Sequence, residues 1–488
     1  MLLKLAWAQG AKTTPCMSGN RASGPCDAVG MTYDGRVSGG GGETKNMLKV
    51  VRNSVALGLL ALVIEPLAHL SAAVPAMAMS SQEISRGEYL AHAADCVACH
   101  TVPGGAAFAG GRGMGTPLGT VYTTNITPDP ATGIGQYSLQ DFDRALRLGV
   151  ARDGHYLYPS MPYPSYAKVT DADVAALYAF FMHAVAPVRQ ANRPTGMRWP
   201  LSIRWPLAIW NAVFLDKAPY KSNPGQDAQW NRGAYLVQGL GHCGACHTPR
   251  GWVFEEEGLT QADRAYLSGA PLDNWSAVNL RSDNASGLGR WSEAELTDYL
   301  KTGHNAGGTA FGSMIDAINY STQYLSDEDN AAIAHYLKSL SPAHPETQAS
   351  WSYNAGTETA LNASQFNAPG SLEYVQNCAG CHGRDAKGAA PYIPPLAGNP
   401  AVLDPDAVSL INITLNGSSP VVIHGTPDAY RMIPFRAALN DEHVAELLTF
   451  VRTSWGNDAA PVKAGQVAAL RAKTDPVRYE ELDLLRMR

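Results

Sequence analysis

The sequence predicts an all-α chain built as three tandem modules. Three observations carry that expectation: a short cysteine and histidine pattern occurs three times, a helix-start signal recurs well downstream of each copy, and strand signals are weak throughout. At 488 residues the chain also exceeds one comfortable hydrophobic core, so several modules are the natural arrangement.

Composition excludes some functions before any motif is read. Forty-three acidic against 37 basic residues give a formal net charge of -6, so no basic excess meets phosphates and nucleic acid is not an expected partner. Hydrophobic residues make up 45% of the chain, yet no run reaches the roughly eighteen apolar residues that a spanning helix needs. Any membrane contact should therefore be peripheral.

Along the chain, residues 1–46 hold Cys16 and Cys26 in a Gly- and Ser-rich stretch without hydrophobic periodicity. They are expected to be disordered or to precede the true start, and neither cysteine is given a role. From Met47, residues 47–78 read as a secretory signal: Lys49 and Arg52, an apolar run from Val55 to Ile64, then small residues ending Ala76-Met77-Ala78, with cleavage after Ala78. Glu65 and Pro66 interrupt the run and leave it too short to anchor.

The repeated pattern is Cys96-Val97-Ala98-Cys99-His100, Cys243-Gly244-Ala245-Cys246-His247 and Cys378-Ala379-Gly380-Cys381-His382. Each is C-x-x-C-H, the attachment pattern of haem c. With eight Cys and 13 His in the chain, chance predicts about 0.003 occurrences. Thiols three apart on one helical turn share a face, so both reach the vinyl groups of one porphyrin while the next residue, His100, His247 or His382, points at the iron. Zinc would need four closed ligands per site, and a thioredoxin-like dithiol does not require the adjacent His. Attachment of haem c takes place outside the bacterial cytoplasmic membrane, so the mature chain is expected in the periplasm.

A second axial ligand is usually Met in an electron carrier, because its sulfur raises the potential. In the second and third modules Met314 and Met432 stand alone. In the first, Met114 follows His100 too closely and Met182 lies in a helical apolar pattern, which leaves Met161. Each candidate precedes a helix start, at Thr170-Asp171-Ala172-Asp173, Ser326-Asp327-Glu328-Asp329 and Asn440-Asp441-Glu442-His443; the first two resemble capping boxes. The helices that follow should pack on the segments before each motif, Arg86 to Leu90, Arg232 to Leu236 and Gly370 to Val375.

The first two modules also match internally. Asn125-Ile126 and Gly133 to Ser138 parallel Asn279-Leu280 and Gly287 to Ser292, as duplication would leave them. The expected layout is three class I-like cytochrome c domains at 79–188, 225–341 and 369–457, with linkers at 189–224 and 342–368 and a tail at 458–488.

Several stretches are familiar: Gly241 to Gly251 around the second motif, Pro394 to Pro400, Thr123 to Asp129, and Tyr158 to Ser165. On these the chain, from about Ile84 to Asn457, resembles the triple-haem cytochrome c subunit of membrane-bound, quinohaemoprotein-type bacterial alcohol dehydrogenase and its gluconate, aldehyde, sorbitol and fructose dehydrogenase relatives. The resemblance implies a subunit without catalytic residues of its own. It would take electrons from a separate dehydrogenase subunit, carrying pyrroloquinoline quinone, flavin or molybdopterin, and pass them through three covalent haems c to ubiquinone. Its place would be the periplasmic side of the cytoplasmic membrane, peripherally attached. Two features depart from the family pattern, Ile433 between Met432 and Pro434 and the leader before Met47, while the charged carboxy-terminus favours the alcohol or aldehyde type. A haem enzyme such as a di-haem peroxidase would need an open iron site. Here every module keeps a Met. The Trp-rich linker from Trp199 to Trp210 is expected either to meet the membrane, with Arg204 facing anionic lipid, or to pack between modules as large aromatics do. The haem histidines are expected to donate their other ring N–H to carbonyls in loops around Pro117 and Pro395.

Overall fold

The computed structural model describes residues 80–345 and 350–474. The expected signal, its cleavage point and the residues before them lie outside that range. Among the described residues the chain is mostly helical, with three short antiparallel hairpins that the sequence did not announce.

Around the first motif, α1 (Ser81–Ala93) starts on a capping box between Ser80 and Glu83, and α2 (Cys96–His100) carries the motif. A hairpin of β1 (Gly113–Thr116) and β2 (Gly119–Tyr122) follows. Next come α3 (Leu139–Leu148), boxed by Ser138 and Asp141 and ended by Gly149 at φ 63°, then α4 (Tyr163–Tyr166) and α5 (Asp171–His183). Part of the expected first linker folds as α6 (Leu207–Phe214).

The second motif repeats this order. Capped by Asp227, α7 (Ala228–Tyr235) runs into a π-helical turn, Leu236–Leu240, before α8 (Gly244–His247). That turn absorbs one extra residue, since ten residues separate Gly233 from Cys243 and nine separate Gly87 from Cys96. A hairpin of β3 (Ala270–Leu272) and β4 (Trp275–Ala277) precedes α9 (Glu293–Thr302), α10 (Met314–Tyr320) and α11 (Asp327–Ser339). Gly303, at φ 81°, ends α9 as Gly149 ends α3.

The third begins with α12 (Gly356–Asn362), inside the expected second linker, then α13 (Ser371–Asn377) and the motif on α14 (Ala379–His382). It continues with α15 (Pro400–Leu403), α16 (Val408–Asn416), a hairpin of β5 (Val422–Ile423) and β6 (Thr426–Pro427), and α17 (Asp441–Thr453). Residues read as a tail fold back as α18 (Ala464–Lys473), whose Val467 and Leu470 are buried with α17. Two apolar residues at i and i+3 sufficed to pull this short helix inward.

Opening and closing helices cross at a glycine in all three places. A Cβ on Gly87 would collide with the Ala176 carbonyl, one on Gly233 with that of Ala332, and one on Gly370 with that of Glu446. Backbones this close leave no room for a methyl group. Gly233→Ala is therefore expected to destabilise the chain by about 1–3 kcal/mol. Gly465→Ala, where no atom lies within 4 Å, should gain up to ~1 kcal/mol in denaturant melts.

Burial groups the segments unevenly. One core runs from Leu90 to Leu340 and joins the first two, while a second, from Leu361 to Leu470, belongs to the third. The acids at the third position of α5 and α11 do not close capping boxes as expected. Thr170 and Ser326 cap the helices, but Asp173 pairs with Arg86 and Asp329 with Arg232, at 2.5 and 2.6 Å. Burial alone would raise the Asp329 carboxyl, yet hydrogen bonds from Arg232 and Tyr89 outweigh it and hold the group below the ordinary aspartate range. Such a group contributes fully above its unfolded value, and the contribution is lost as pH falls through the folded one. Unfolding midpoints should accordingly hold steady from neutral pH down to the ordinary aspartate range and fall below it. Asp329→Asn, with its lower baseline, should show a shallower acid limb.

Candidate haem-binding sites

Each motif sits on a short helix whose last residue is the histidine, and each histidine makes the same contact. His100 Nδ1 lies 2.6 Å from the Thr124 carbonyl, His247 Nδ1 2.7 Å from that of Val278, and His382 Nδ1 3.0 Å from that of Pro394. A carbonyl only accepts, so Nδ1 carries the proton and Nε2 keeps its lone pair. Burial lowers all three imidazoles, against the opposing pull of the carbonyl bond. The rings are thus held neutral, oriented and ready to ligate through Nε2.

The third carbonyl lies beside the expected Pro395. The first does not come from the loop at Pro117, because Pro117 and Leu118 form the tip of the β1–β2 turn. It comes from Thr124, and the second from Val278, each just before a buried asparagine. Asn125 accepts the N–H of Thr127 at 2.9 Å and Asn279 that of Arg281 at 2.8 Å, local turns that fix the preceding peptide. The duplicated asparagines were visible in the sequence, and they were the signal for these carbonyls.

Burial raises the thiols of five of the six motif cysteines, while the sixth, Cys381, is exposed. Cys99, Cys243 and Cys378 are pushed up to about 12 and Cys246 to about 11, with Cys96 raised further. A redox dithiol needs the opposite shift. Among the described residues no cluster of three or more His, Cys, Asp and Glu is arranged to hold a metal ion. Arg112 bonds the carbonyl of Ala98 and Arg250 that of Ala245, the same motif position in both.

The candidate methionines lie at the same cores as their motifs. Met161, in the turn before α4, and Met314, the first residue of α10, border the first core together with Cys96 and Cys243. Met432 borders the second, which contains Cys378. Ser418 grips Met432 twice: its Oγ accepts the Met432 N–H and its own N–H donates to the Met432 carbonyl, both at 3.0 Å. Among the described buried donors without a protein partner are Tyr266 OH and Trp351 Nε1. Tyr266 lies against the second motif, where a Cβ on Gly244 would come within 3.1 Å of its ring. Orphaned donors here fit a group that brings its own acceptors, as haem brings its carboxylates.

Comparison with known proteins agrees with this chemistry. The cytochrome c family model matches residues 84–184 and 368–455. A gluconate 2-dehydrogenase cytochrome c subunit from Pantoea cypripedii is 49% identical over 80% of this chain and 89% of its own length. The chain belongs to the cytochrome c subunit family of the alcohol, gluconate and fructose dehydrogenases. The cytochrome c subunit of a quinone-type alcohol dehydrogenase from Gluconacetobacter polyoxogenes is 44% identical over 88% of this chain and 92% of its own length. The fructose dehydrogenase cytochrome subunit of Gluconobacter japonicus is 39% identical over 80% and 82%. As a member of this family the chain carries covalent haem c in its cytochrome c domains. No helix among the described residues is long and apolar enough to cross a membrane.

Proposed function

We propose that this chain is the electron-transfer subunit of a periplasmic dehydrogenase, conducting electrons through three haems c from a catalytic subunit to ubiquinone in the cytoplasmic membrane. The observation that carries the reading is the threefold recurrence of C-x-x-C-H with a carbonyl-tethered histidine. The layout is three tandem cytochrome c domains at 79–188, 225–341 and 369–457, the last extended by α18. Cys96 and Cys99, Cys243 and Cys246, and Cys378 and Cys381 hold the porphyrins. His100 with Met161, His247 with Met314 and His382 with Met432 are the axial pairs. Each iron, when bound, takes up and gives back one electron. With a histidine and a methionine assigned to each iron, no position would be left open for peroxide, which suits electron transfer. A catalytic dehydrogenase partner is supported by the relatives, which are named as subunits of such enzymes.

For membrane contact the support is an exposed apolar surface. Trp199 is 82% exposed, Trp205 65% and Trp252 fully, with Ile209 and Val213 outward on α6. Two residues of the expected linker face inward instead: Trp210 donates to the Val253 carbonyl and packs edge-on against Tyr163, and Arg204 lies over the Tyr158 ring and donates to Tyr156. The lipid-facing set is therefore Trp199, Trp205 and Trp252.

Mass spectrometry of the denatured protein should show three covalent haem additions, and fewer would overturn the reading. The Trp199→Ser, Trp205→Ser, Trp252→Ser variant should leave membranes and reduce ubiquinone slowly while keeping its haems and ferricyanide reduction. Unchanged membrane binding would refute the attachment.

A further inference from the structure

The first two motif-bearing segments are joined by a reciprocal contact. Tyr89 on α1 donates to Asp329 on α11 at 2.6 Å and accepts the Ser326 N–H at 3.1 Å. Tyr235 on α7 donates to Asp173 on α5 at 2.6 Å and accepts the Thr170 N–H at 3.3 Å. Each tyrosine thus crosses to the other segment and reads the same four-residue helix start, while each aspartate also pairs with its own segment's arginine. That is the logic of an isologous two-fold interface, realised here inside one chain.

The third segment has neither half. Leu372 stands two residues past Gly370, where Tyr89 and Tyr235 stand past Gly87 and Gly233, and His443 is the third residue of α17 where the aspartates stand in α5 and α11. Its own nearby Tyr374 donates inward to Gly383.

Between the clamped segments the two motifs converge. Tyr166, buried, donates to the carbonyl of Ala94, two residues before Cys96, and its ring stands edge-on 5.6 Å from His242, the residue before Cys243. Arg112 ties the Ala98 carbonyl of the first motif to Asp316 on α10, two residues past Met314, at 2.8 Å.

We propose that Tyr89, Tyr235, Asp173 and Asp329 are positioning residues that fix the first and second haem-binding motifs face to face as one rigid pair, which the third motif does not join. This rests on the haem reading above. Two redox sites so held titrate together, because an electron on one makes the next harder to add to the other.

The test uses the full chain with its haems counted by mass, so that a chain short of three haems would count against the functional reading and not against the pair. Pulsed electron paramagnetic resonance between the oxidised sites should give its shortest distance between the first and second, with Met161→His marking the first by its changed spectrum. In Tyr89→Phe/Tyr235→Phe that distance should lengthen or broaden, and the mutual shift of the two potentials should fall at least about twofold, with the third potential unmoved. If the third site proved the nearest neighbour of the first, the pair would be wrong. A double variant that melted earlier but kept the wild-type distances and potentials would reduce the clamp to mere stability. Should the double variant not fold, Tyr235→Phe alone and the wild-type distances decide.

Discussion

Met432→Ala should lower the potential of one of the three sites by roughly a third of the ~0.8 V range that axial ligands span. The thioether favours reduced iron, so its loss leaves that site on one neutral imidazole with an open position. Cyanide or carbon monoxide should then bind there and nowhere else, which an optical titration would register. Ile433 separates Met432 from Pro434, but two hydrogen bonds to Ser418 hold both the N–H and the carbonyl of Met432. Ser418→Ala should therefore lower the same potential by a smaller amount, through a looser loop. If Met432→Ala left all three potentials in place, the assignment for the third site would be lost.

Cys243→Ser/Cys246→Ser should cost at least ~5 kcal/mol, comparable to the whole stability of a small domain. Without thioethers the second site loses a group that serves as part of its core, and the damage has a stated boundary. Because one core joins the first two segments, limited proteolysis should degrade residues 80–340 and spare a fragment of about 350–474. Loss confined to the second segment would show that the shared core is not cooperative.

The motifs and the helices that flank them were legible because each depends on local chemistry: a fixed cysteine spacing, a capping side chain. Ser80, Ser138 and Ser292 cap with their own neighbours, so such starts can be read from a few residues. What depended on distant partners was not legible. Asp173 and Asp329 look like box-closing acids until arginines and tyrosines far along the chain claim them. The hairpins escaped for a related reason: at two to four residues per strand they are too short to show alternation. Trp210 and Arg204 read as lipid-facing within a Trp-rich run, and only the positions of Tyr163, Tyr158 and Val253 turn them inward. The charged carboxy-terminus pointed to the alcohol or aldehyde type, while identity is 49% to the gluconate subunit and 44% to the alcohol subunit.

The glycine crossings make each module end where it began. A segment whose entrance and exit lie side by side can be copied in tandem, or receive an insertion at its border, without asking its neighbours to move. Growth by one redox centre at a time then becomes topologically simple, and what must be invented anew is only the surface that decides which copy docks on which. On the proposed three-domain layout the first two segments hold such a surface for each other, and the third lacks both halves of it.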